Sequence, residues 1–181
     1  SVVVLSLIRS AITNVSDATF GWQRAIIGVN AEMQKSIQLM RNFSSETDGV
    51  RATATAINDV NKLLDRAATA PFSLGAITDT FVKLRVAGLQ PAEKSLNTLI
   101  DSVAAFGGID ANLKRAGVAI QQMAGKGVVS MEELRQQLGE SVPTAINAMA
   151  TALGTTYNDL VKQISLGRVK SKPAIQAMME E

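Results

Sequence analysis

The sequence predicts an all-α chain: a long N-terminal coiled-coil-like helix followed by a block of short packed helices. Three observations predict it. Apolar residues recur at heptad spacing through the first 43 residues, glycine and proline punctuate the remainder, and no stretch alternates apolar and polar residues long enough to make a strand. Composition agrees. Hydrophobic residues make up 46% of the 181 positions but aromatics only 4%, and alanine fills 25 positions. Small aliphatic side chains suit close helix packing better than a β-sandwich.

The first element carries the clearest period. With Leu5 as position a, the a sites are Leu5, Ile12, Thr19, Ile26, Met33 and Met40, and the d sites are Ile8, Val15, Trp22, Val29, Ser36 and Phe43. All but Thr19 and Ser36 are apolar, the pattern of a coiled-coil seam. The candidate seam is therefore Leu5, Ile8, Ile12, Val15, Trp22, Ile26, Val29, Met33, Met40 and Phe43. Leucine at a with β-branched Ile8, Val15 and Val29 at d disfavours a parallel dimer and favours a homo-oligomer of three chains. The flanking Ala11, Ala18, Ala25, Ile37 and Leu39 widen the apolar stripe. A stripe that wide equally suits one amphipathic helix lying on its own domain, so both arrangements stay open.

The polar run Ser44 to Gly49 breaks the pattern. A second helix follows, with Val50, Thr53, Ile57, Val60, Leu64 and Ala67 spaced three and four apart. Pro71 ends it, because proline constrains the residue before it and donates no amide. Residues 1–69 thus form the long amphipathic part, and residues 70–181 a compact block. Within the block, helices are expected over Ala76–Ala87, Pro91–Phe106, Asp110–Ala124, Ser130–Leu138, Pro143–Leu153, Thr156–Ser165 and Ser171–Glu180.

Their ends are marked. Gly107-Gly108 and Gly125-Lys126-Gly127 offer left-handed helix stops. Asp110 is placed to cap the helix it opens. Ser130 with Glu133 has capping-box spacing, Thr156 with Asp159 has a weaker version, and Glu132 can reach Arg135. The expected core is Phe72, Phe81, Leu84, Leu89, Leu96, Ile100, Val103, Phe106, Leu113, Ile120, Met123, Leu134, Leu138, Ile146, Met149, Leu153, Leu160 and Ile164. Met33, Met40, Met123, Met149 and Met178 fall on apolar faces, where thioethers fill irregular gaps.

The chain contains neither cysteine nor histidine, which excludes disulfides, thiolate or imidazole metal sites and Cys or His nucleophile-base pairs. No catalytic activity, metal or cofactor is expected. Glu132 and Glu133 are adjacent, so on a helix they point about 100° apart, awkward for shared acid-base work. Gly125-Lys126-Gly127 lacks the spacing of a phosphate loop. Scattered acids such as Asp101 and Asp110 are not placed as a pair.

Eighteen basic against sixteen acidic residues give a net charge of +2. The only tight basic group is Arg168, Lys170 and Lys172, and aromatic platforms for single-stranded nucleic acid are lacking. No sequence-specific nucleic-acid binding is expected. The apolar opening, Ser1 to Ile8, is cut by Arg9 and too short to cross a hydrocarbon core, and no basic region precedes it as a secretory signal requires. A start at Ser1 rather than methionine leads us to expect a piece of a longer chain.

Two stretches add a family resemblance. AAFGGIDANLKRAGVAIQQMAGKGVVSMEELRQQLGESVPTAINAMATALG (Ala104 to Gly154), continued by TYNDLVKQISLGRVKSKPAIQAM, closely resembles the tape measure proteins of long-tailed bacteriophages and prophages. APFSLGAITDTFVKLRVAGLQP (Ala70 to Pro91) resembles the segment before that block. Together they cover about 60% of the chain. The most specific piece is Lys126 to Pro143, KGVVSMEELRQQLGESVP.

The resemblance implies a structural role. Such proteins are long helical chains in the lumen or at the tip of the virion tail. Their length sets tail length, and they leave ahead of DNA at infection. It also implies contact with tail-tube and tail-tip or hub proteins, tail assembly chaperones in the host cytoplasm, and host membrane at ejection. No catalytic residue is carried over. The alternatives are a helical adaptor or chaperone-like interaction module and a membrane-active helical protein.

Overall fold

A computed structural model describes residues 31–44 and 46–180, and within them the first helix, α1, occupies residues 31–42. There follow α2 (Gly49–Thr69), α3 (Leu74–Val86), α4 (Ala92–Ala105), α5 (Asp110–Lys126), a π-helix (Glu132–Leu138), α6 (Ala145–Ala152), α7 (Tyr157–Ser165) and α8 (Ser171–Glu180). Among the described residues every regular element is helical, and the one β feature is an isolated antiparallel bridge between Val128 and Lys170. The expected block helices are present within two residues at each end, except that a π-helix replaces the α-helix expected over Ser130–Leu138.

Glycine stops explain the rhythm. At the end of α7, Gly167 adopts φ 65°, its amide donates to the Ile164 carbonyl at 2.9 Å, and Arg168 donates to the Gln163 carbonyl at 3.0 Å. That double bond satisfies carbonyls left over by the last turn, and a Cβ would disfavour the left-handed backbone it needs. Gly107 and Gly154 close α4 and α6 with the same pair of bonds. Gly127, at φ 78°, ends α5 as expected.

The helices share one core. It runs from Met40 through Ala56, Val60 and Leu63 of α2, into Ile77 and Leu84 of α3, and on to Ile175 and Met178 of α8. The change of texture at residue 70 therefore marks where helices shorten, while the apolar interior continues across it. α3 packs most extensively on α5. Gly117 permits this, because a Cβ there would stand 3.1 Å from the Thr80 methyl and 3.5 Å from the Thr80 backbone. Thr80 itself is fully buried, with its hydroxyl donating to the Ala76 carbonyl at 2.8 Å.

Several local expectations are corrected. Phe106 and Leu153 are 50% and 38% exposed rather than core, since each occupies the residue after a helix end, just before a glycine that turns the chain back. The other sixteen expected core residues are buried. On α2 the buried face is Ala52, Ala56, Val60 and Leu63, leaving Val50 and Ile57 outward. The alanines allow a closer approach than a Val/Ile face would.

Capping differs too. Asp110 does not cap α5. The Asn112 side chain accepts the Ile109 amide at 3.1 Å, and the Asp110 carboxylate reaches across to accept the Ser73 amide at 2.9 Å and the Ser73 hydroxyl. An acid thus sits at the N-terminus of α3, where the helix dipole favours negative charge. Ser130 accepts the amide of Glu132 at 3.2 Å rather than that of Glu133, so the expected capping box does not form. Thr156 does cap α7, accepting the Asp159 amide at 3.2 Å.

Candidate interaction surfaces

The groups singled out for chemistry are committed elsewhere. Asp101 pairs with Arg66, joining α4 to α2. Asp110 holds the start of α3. Glu132 is exposed and has no ion pair with Arg135, whereas its neighbour Glu133 is 3% exposed and bonds Lys126. The described residues contain no group of three or more acids that could hold a metal ion, and no described helix is long and apolar enough to cross a membrane.

The Lys126–Glu133 pair fastens the end of α5 to the π-helix. Burial works against the Glu133 charge. The bond from Lys126, the nearby Ser130 hydroxyl and backbone, and the Lys126 charge together outweigh it and hold the carboxyl below its ordinary range. The bond to Glu133 in turn pushes Lys126 up. The π-helix beyond this clamp buries Leu134 and Leu138. It closes where the Gly139 amide donates to the Leu134 carbonyl at 3.0 Å, five residues back. A methyl group on Gly139 would collide with the Arg135 carbonyl oxygen.

Of the candidate seam residues, Leu5, Ile8, Ile12, Val15, Trp22, Ile26 and Val29 lie outside the described residues. Met33 is half-buried against the chain's own core, Met40 is buried in it, and Phe43 is 47% exposed. Two polar contacts anchor this end of α1 on α3. Glu32 accepts the Gly75 amide at 2.7 Å, and the hydroxyls of Ser36 and Thr78 hydrogen-bond at 3.1 Å. Ser36, a polar member of the heptad stripe, thus has its partner in the same chain. No sequence signal marked Thr78 as that partner, because the contact spans 42 positions.

Among the described residues, two open surfaces with apolar lining stand out. One is a shallow groove beside the outward stripe of α2, lined by Arg41, Val50, Thr53, Ala54 and Ile57. The other lies between the turns that end α6 and α7, where Arg168 and Lys170 meet Leu153 and Pro173. The sequence shows the basic group but not the apolar slot, which is assembled from three helices.

Comparison with known proteins gives consistent relatives. The sequence profile of a family described as tape measure protein matches residues 24–181. A protein named "Probable tape measure protein" from Salmonella phage Felix O1 is 38% identical over 74 residues, covering 41% of this chain and 10% of that protein. The Mu-like prophage FluMu protein gp42 of Haemophilus influenzae is 33% identical over 110 residues, covering 60% of this chain and 17% of its own length. The chain thus spans only a small part of the curated relatives it matches. No solved structure matches it.

Proposed function

The chain belongs to the tape measure protein family, and on that premise we propose that it is a structural, non-catalytic segment of the chain that sets phage tail length. The observation that carries this reading is the extent of the family match. It takes in the whole described helical body, so the body is the family's own domain and not an unrelated insertion.

A ruler needs a reproducible length per residue. An uninterrupted α-helix rises about 1.5 Å per residue, so roughly 150 residues of it would reach about 225 Å. A compact body of that size is only about 40 Å across. The buried core from Met40 to Met179 favours the compact form, because extending the block would expose all of it to water. We therefore assign this block a short, fixed contribution to the length of the parent chain. The lumen or tip location, departure ahead of DNA, and contacts with tail-tube, hub and chaperone proteins belong to the same proposal.

Self-association is a further part of it, with three copies around an axis formed by the Leu5 to Val29 part of the expected Leu5 to Phe43 seam, since Met33 and Met40 pack against the chain's own core. Sedimentation of the chain beside a Trp22→Asp variant tests this. A trimer that the variant dissolves supports it, and two monomers at high concentration contradict it. The tail assignment itself is tested by mass spectrometry of purified tails from the parent phage. Peptides from residues 24–181 are expected there, and their absence from assembled tails overturns the proposal.

A further inference from the structure

The turns that end α6 and α7 enclose a groove of about 410 Å³. Exposed Leu153 and Pro173 and half-buried Val169 form its apolar walls, and buried Leu160 closes the bottom. Arg168 and Lys170 stand exposed among its lining. From Leu160 to Met178 the chain carries Lys162, Arg168, Lys170 and Lys172 and not one acid. Among the described residues neither Arg168 nor Lys170 has an ion-pair partner.

The segment that bears these two cations is held on both sides. Arg168 donates its amide to the end of α7, Val129 donates to the Val169 carbonyl at 2.8 Å, and Ser171 donates to the Gly127 carbonyl at 3.1 Å. Lys172 takes no part, because its ammonium lies over Gly88 at the end of α3. The result is a preformed apolar slot with two uncompensated positive charges beside it.

We propose that this groove docks an acidic segment of a partner protein. An aliphatic side chain of that segment rests on Leu153, Val169 and Pro173, and a neighbouring carboxylate pairs with Arg168 and Lys170. Charge complementarity selects the class of occupant. Two exposed cations on a held backbone beside an exposed apolar wall favour a ligand that brings carboxylate and hydrocarbon together, and charge-assisted bonds are the stronger kind. No aromatic ring lines the groove, so a nucleic-acid base finds nothing to stack on. This inference stands on the local geometry and not on the family assignment.

A library of random twelve-residue peptides displayed against the intact chain tests it. Enrichment of peptides with Asp or Glu within a few residues of Leu, Ile or Val is expected. The strongest peptide should then bind at least tenfold more weakly to an Arg168→Glu/Lys170→Glu variant, and detectably more weakly to Lys170→Gln alone. Binding to Lys114→Glu, an exposed change on α5, should be unchanged. Far-UV circular dichroism checks that each variant is folded. Enrichment of neutral or basic peptides, or undiminished binding to both groove variants, overturns the proposal. So does binding to phosphatidylglycerol vesicles that these variants abolish while peptide binding is absent, since that would make the face a lipid site.

Discussion

Replacing Leu134 by alanine tests whether the π-helix is part of the packed interior. Leu134 has no exposed surface, and its segment is clamped at one end by Glu133 and closed at the other by Gly139. Truncating a fully buried leucine forfeits its transfer free energy and leaves a cavity, together about 2–5 kcal/mol. The upper half of that range applies where the surroundings cannot collapse, and a π-turn pinned at both ends is such a place. For a chain of this size each kcal/mol lowers Tm by roughly 2–4 °C, so a fall of about 4–20 °C is expected. Urea unfolding followed by far-UV circular dichroism gives the free energy directly, with the slope unchanged if only stability is altered. Phe106→Ala is the internal comparison, a larger truncation at a half-exposed site that should cost less. A loss under about 0.5 kcal/mol for Leu134→Ala, or a larger loss for Phe106→Ala, would refute the packing described for the π-helix.

Three further outcomes follow from named contacts. The folded-state carboxyl of Glu133 is lowered, so its contribution is present above its ordinary value of about 4.5 and lost as pH falls through the lowered one. The stability gap between wild type and Glu133→Gln should therefore be widest near neutrality and close in acid, and a gap that widens in acid would contradict the clamp. Asp110→Ala should cost about 1–2 kcal/mol by leaving the Ser73 amide at the head of α3 without its acceptor, measured by the same melts. Gly117→Val should cost about 1–3 kcal/mol by forcing α5 away from Thr80, and a neutral result would mean the two helices are not in close contact.

Much of the fold was legible because helix boundaries are written locally. Gly107 and Gly127 each read as a stop, and each adopts the left-handed backbone a stop requires, as do Gly154 and Gly167, which were not singled out. Sixteen core positions followed from apolar spacing alone. What failed depended on contacts distant in sequence. Asp110 looked like a cap for its own helix, but its carboxylate accepts the amide of Ser73, 37 positions away, while Asn112 takes the Ile109 amide. Phe106 and Leu153 kept the apolar period one residue past the turn of helix that buries it. The π-helix was invisible because Ser130 and Glu133 have ordinary capping spacing, and only the ion pair with Lys126 shows that Glu133 is used otherwise. The candidate groove shows the same division. Its cations are consecutive enough to be noticed, whereas its walls come from α6, the turn after α7, and α8.

Tail length in the parent phage tests the central claim most directly. A second copy of residues 31–180 is inserted in frame beside the first, and tails are measured by electron microscopy. A length-setting chain carrying a compact block predicts a uniform increase of roughly 40 Å. An increase near 225 Å would mean that the block is drawn out into continuous helix in the tail. Tails of unchanged length would contradict the claim that this segment contributes to the measure.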